Sequence, residues 1–172
     1  MYSPRESVIG CDELVAALES AGWRAAIPPA YVWIGGAREA RSPALTDYVE
    51  VYGWTAGELD RAEVQALVDQ LPLDAPGARN TARDRLASLA VVGCSLTCGV
   101  YGLLPEQLED NENDESLTAD RRARLAATRT QYVLRGRWDL DRAVEFQKVT
   151  GLAIATLTGG IGLYPGSGEW LE

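Results

Sequence analysis

Residues 86–105 and 149–168 form two twenty-residue stretches without a single charged side chain, in a chain where 24% of residues are charged. Stretches of that kind must lie in lipid or inside a core, because few polar side chains are present to hold them at a water surface. Each matches about one bilayer width. Both are broken by Gly, Ser and Thr, and the second carries Gly159, Gly160, Gly162, Pro165, Gly166 and Gly168 in its last half. Basic residues precede both (Arg79, Arg83 and Arg85; Lys148), whereas consecutive spans run in opposite directions and cannot both begin on the positive side. The sequence therefore predicts, in each, a buried helix followed by a buried strand, and no membrane partner.

The remaining segments must cover those two units. Asp12 can cap a helix with Leu14, Val15, Leu18 and Ala21 at helical spacing and Gly22 at its end. Residues 23–27 and 31–34 read as short strands on either side of Pro28-Pro29, and residues 35–45 as a loop. From 47 to 54 the chain alternates, with Tyr48, Glu50, Tyr52 and Trp54 on one face and Val49 and Val51 on the other. Thr55 with Glu58, and Asp60 with Glu63, have capping-box spacing, and Leu59, Ala62, Ala66, Leu67 and Leu71 form the apolar face of the helix that follows. Further helices are expected over residues 81–92, over 121–135 with Arg135 in the last turn, and over 139–159. The expected strands in this half are 94–104 and 161–164. Residues 95–100 echo residues 156–161 (Ser-Leu-Thr-Cys-Gly-Val against Thr-Leu-Thr-Gly-Gly-Ile), which suggests two similar helix-strand units in one sheet. Together these predict a single α+β domain over residues 1–172, with a mixed or antiparallel sheet and helices mainly on one face. At 172 residues the chain can bury roughly two thirds of its unfolded surface without staples.

Chemistry is bounded by what is missing. With no histidine, the chain has no Ser/His/Asp or Cys/His pair, no imidazole base and no His-containing zinc site. Its 16 basic residues are 15 arginines and Lys148, so Schiff-base or phosphate-loop chemistry would rest on one side chain. The glycines at 159–162 follow a helix rather than opening one, which fits a helix stop and a turn better than a phosphate loop. Cys94 and Cys98 on one strand would sit about 13 Å apart, too far for a disulfide. Cys11 has no neighbouring base to activate it. No catalytic residue, metal site or cofactor is expected. No secretory signal pattern opens the chain, so the expected compartment is the cytoplasm.

Net charge is −9, spread evenly over both halves of the chain, which disfavours nucleic acid and favours a basic protein partner. Residues 106–120 hold seven acids and no base, whereas residues 121–137 hold six arginines and no acid. The run lacks the central Gly and closing Glu of a calcium loop, so it reads as a solvated loop or as a docking surface for a cation-rich partner. Glu106, Glu109, Asp110, Glu112, Asp114 and Glu115 are the candidate contact residues. Tyr48, Glu50, Tyr52 and Trp54 join them if their strand face is exposed, and fill a core if it is not. The function expected is non-enzymatic recognition of a basic protein. A small enzyme using carboxylates or Tyr/Arg, and a subunit of a larger assembly, are the alternatives.

From Ala143 to Leu171 the order helix, Leu157-Thr158-Gly159-Gly160, apolar strand and Pro165-x-x-Gly168-x-Trp170-Leu171 resembles the ending of many small acidic bacterial proteins, some of them immunity proteins that neutralise polymorphic toxins. The resemblance covers under a fifth of the chain. It implies tight stoichiometric binding of a toxin without catalysis, and assigns no residue a role.

Overall fold

The structure, a computed structural model, describes residues 1–34, 37–41, 49–55, 57, 59–72, 76–136, 141–164 and 168–172, with the backbone alone at 30–34, 37–41 and 76. The elements in chain order are β1 (Tyr2–Ser3), α1 (Cys11–Ser20), β2 (Trp23–Ala26), β3 (Ala30–Ile34), β4 (Ala37–Arg41), β5 (Val49–Thr55), α2 (Arg61–Val68), α3 (Pro76–Ser88), β6 (Val92–Gly99), α4 (Pro105–Asn113), α5 (Ala119–Ala126), β7 (Thr130–Gly136), α6 (Asp141–Thr158), β8 (Gly162–Tyr164) and β9 (Glu169–Leu171).

Five strands form one sheet in the order β1-β7-β6-β5-β2, with every neighbouring pair antiparallel. The protein is thus an α+β single-domain fold with an antiparallel sheet. β3 pairs with β4, and β8 with β9, as separate two-stranded sheets.

Strand alternation splits the core in two. Val49 and Val51 of β5, Cys94 and Leu96 of β6 and Tyr132 of β7 share one face, packed with Leu14 and Leu18 of α1 and Phe146 and Ile154 of α6. Each large apolar side chain buried there contributes roughly 1.5–3 kcal/mol by leaving water. Phe146 stacks at a tilt on Trp23, ring centroids 4.9 Å apart. It also fills the place where residue 53 would carry a Cβ, so Gly53 is what lets α6 rest directly on β5. On the other face, Ala26, Tyr52 and Trp54 meet Val64 and Val68 of α2, Ala82 and Leu86 of α3, and Leu71 and Val91.

Both charge-free stretches hold a helix followed by a strand, the end of α3 and β6 in the first and the second half of α6 and β8 in the second. The burial expected of them holds for most of β6 and α6 but not for the last residues of α3, where Ala87 and Ser88 are exposed, or for β8, where Leu163 is 41% exposed. Among the described residues, no helix is long and apolar enough to cross a membrane. Several expectations are corrected. Residues 37–41, inside the expected loop, form β4. The buried face of α2 is Val64 and Val68, while Ala62 and Ala66 are exposed, because the larger branched side chains gain more from burial. α3 starts at Pro76 and ends at Ser88, where Ala90 turns left-handed (φ 56°) and the Val91 N–H bonds the Leu86 carbonyl. The helix expected to carry Arg135 in its last turn ends at Ala126, and residues 130–136 form β7, whose Thr, Tyr and Val suit a pleated strand. The 95–100 echo covers the second half of β6 and the residue after it, but its counterpart begins in the last turn of α6, and β8 is outside the main sheet, so the two are not equivalent units.

Candidate functional site

The acidic run is not a loop. Pro105, without an N–H to satisfy, occupies the first position of α4, and the Gln107 side chain accepts from the Leu104 N–H at 2.9 Å. The helix then carries Glu106, Glu109, Asp110 and Glu112 to its end, and none of its nine residues is buried. Helical spacing puts Glu106, Glu109 and Asp110 on one face, opposite the half-buried Leu108 and Asn111. Glu115 follows in the exposed turn before α5.

Asp114 behaves differently from the other five acids. Its carboxylate accepts from the Ser116 N–H at 2.9 Å and the Ser116 hydroxyl at 2.6 Å, which holds it below the ordinary aspartate range and makes it the pivot of the α4–α5 turn.

The arginine block that follows does not neutralise this helix. Arg121 pairs with Glu172 at 2.6 Å and lies over the Trp170 ring, 5.3 Å from its centroid. Arg124 donates to the Gly160 carbonyl at 2.7 Å and reaches Glu172 at 3.6 Å. Arg122 donates to the Asp114 carbonyl at 2.8 Å. Three guanidiniums that adjoin the acids in sequence are thus spent on the C-terminal hairpin and the turn. Glu106, Glu109, Asp110, Glu112 and Glu115 have no ion pair among the described residues.

The aromatic strand face resolves into core. Tyr52 and Trp54 are each 1% exposed beneath α2 and α3, so neither can present a ring to a partner. The alternation placed them correctly on one face; what overturns the contact reading is the second helical layer. Glu50, on the same face and half-buried, accepts from the Tyr52 hydroxyl at 2.5 Å. Tyr48 lies outside the described residues.

Among the described residues, the cover does not reach the whole face. Register pairs Thr97 with Val133 and Ser95 with Arg135, all pointing to the same side as Glu50 and Tyr52. Thr97, Val133 and Arg135 are exposed there. β6 ends at Gly99, and the Tyr101 ring occupies the space a side chain at 99 would take on that same face. Val100, Tyr101 and Leu104 are 55%, 56% and 60% exposed and Val133 is 45% exposed. These are four of the six large exposed hydrophobics among the described residues, and Leu104 directly precedes α4. Sequence reading missed them by extending the strand to 104. Gly99, Gly102 and Pro105, spaced three apart through that run, were the signal that it is not a strand.

Elsewhere a groove of about 210 Å³ runs between β7 and the β8–β9 hairpin, lined by Tyr132, Leu134, Gln147, Leu163 and Tyr164 among others, with no carboxylate among the described residues of its wall. All three thiols are free. Burial pushes Cys94 up to about 12 and Cys11 up to about 11, and raises Cys98, so all three are neutral and weakly nucleophilic at neutral pH. Among the described residues, no group of three or more Cys, Asp or Glu side chains could hold a metal ion. Compared with known proteins, the chain matches no family model, no curated protein and no solved structure.

Proposed function

We propose that this protein is a non-enzymatic binder that recognises, and by the loose C-terminal resemblance neutralises, a basic protein partner in the cytoplasm, in the manner of an immunity protein or inhibitor. The observation that carries this reading is α4: a helix with no fully buried residue, whose outer face holds up carboxylates that the adjacent arginines leave unpaired. In a chain of net charge −9, such a helix concentrates negative potential at one place. Clustered like charge of this sort speeds the approach of an oppositely charged surface more than it tightens the final complex.

The test is a comparison of baits. Wild-type protein and the Glu106→Lys/Glu109→Lys/Asp110→Lys variant are used for affinity purification from the native host. The reading expects a basic protein recovered at low salt by the wild type and lost with the variant. Association measured with that protein should slow at least about tenfold on charge reversal and converge with the variant's rate as salt rises. Equal recovery and equal association rates at low salt would remove α4 from the interface.

A further inference from the structure

We propose that the strip formed by Val100, Tyr101, Leu104 and Val133, together with the outer face of α4, takes one cationic amphipathic helical segment of a protein partner. The segment's apolar side would lie on the strip, and its Lys and Arg side chains would meet Glu106, Glu109 and Asp110. This deepens the preceding reading by naming what the partner must present, and rests on it.

Two independent features converge. The first is apolar. Exposed hydrophobics scattered singly are ordinary, but here four of the six among the described residues are gathered on the uncovered part of one sheet face and the segment leading off it. Tyr101 is a large ring seated against backbone at Gly99, which costs little conformational entropy on binding and suits it as an anchor. The second is charge. Leu104 is the residue before α4, so the segment that carries three of the four leads directly into a helix whose exposed face is acidic.

Charge decides between occupants. A second copy of this chain would bring its own α4 and a net charge of −9 to the same place, and an anionic lipid surface or a nucleic acid would meet the same repulsion. A segment that is only basic would leave the strip in water; one that is only apolar would leave the carboxylates unmatched. An amphipathic helix with Lys or Arg on one side satisfies both. In this division of labour the carboxylates set the rate of encounter and the strip sets the rate of release.

The experiment uses two synthetic probes of equal positive charge: an amphipathic helical peptide of Leu and Lys, and a Gly/Ser/Lys peptide without apolar residues. Binding is followed by fluorescence anisotropy at low and high salt. The Leu/Lys peptide is expected to bind at least about tenfold tighter than the Gly/Ser/Lys peptide. Tyr101→Ser/Leu104→Ser should erase that difference, leaving the Gly/Ser/Lys peptide unaffected. Both positions are more than half exposed, so the variant retains its fold, which circular dichroism checks. If the two peptides bind alike, or the Tyr101/Leu104 variant keeps the preference, the inference is overturned. The electrostatic reading survives that result when Glu106→Lys/Glu109→Lys/Asp110→Lys weakens both peptides, and fails with it when charge reversal changes neither. Binding of the Leu/Lys peptide that is indifferent to all five substitutions places it elsewhere on the protein and overturns the inference too.

Discussion

One face of the five-stranded sheet is treated in two ways. Over β2 and β5, Tyr52 and Trp54 are sealed beneath α2 and α3; over β6 and β7, Thr97, Val133 and Arg135 stand in the open, with the Tyr101 ring over Gly99 at the end of β6. The strands are continuous, hydrogen-bonded neighbours, and the pleat is the same. What differs, among the described residues, is the presence of a helical layer, and this decides whether a ring on that face is buried or exposed. Residues that look like recognition aromatics in sequence can therefore be structural, while those that look like strand core can be the exposed ones.

The comparison breaks most decisively at Trp54. Truncation to Ala beneath α2 and α3 should cost about 3–5 kcal/mol in denaturant unfolding. A loss under about 1 kcal/mol would mean the second layer is not a true core. On the opposite face, Gly53→Ala sets a methyl group against the Phe146 ring, and should cost about 1–3 kcal/mol as α6 is pushed off β5. In the open half, Val133→Thr should change stability by less than about 0.5 kcal/mol, because the side chain already stands in water. A larger loss, read from the same unfolding curves, would show that something covers that part of the face after all.

The smallest effect expected is with pH. Asp114 and Glu172 are held below their usual values of 3.8 and 4.5, by the Ser116 donors and by Arg121 respectively. A carboxyl depressed in the folded state stabilises above its unfolded pKa and loses that contribution as pH falls through the folded value. Thermal melts should therefore be flat with respect to these two groups down to about pH 5 and decline below about pH 4. Asp114→Asn/Glu172→Gln should blunt that decline. Both side chains are exposed, and a variant that follows the wild-type curve would assign the acid limb to other carboxyls.

Much of the architecture was legible because it is written in periodicities. The two charge-free stretches, the alternation through β5 and the apolar spacing of α1 and α6 each follow from a single rule about which side of an element meets water. What could not be read was the partner of each face. Alternation puts Tyr52 and Trp54 on one side of β5 without saying that α2 and α3 will close over it. Residues 130–136 were hidden by arginine spacing that suggested a helix end, and β-propensity prevailed once β6 offered pairing. Of the candidate site, the acids of α4 were found from charge alone. The apolar strip beside them was not, since its exposure depends on where β6 stops.

Phe146 resting in the space left by Gly53 has one more effect. Every other position along β5 carries a Cβ, so for α6 to shift by a residue along the strand its ring would have to climb over a side chain that has nowhere to go. The glycine works as a notch that fixes the longest helix in a single longitudinal setting on the sheet.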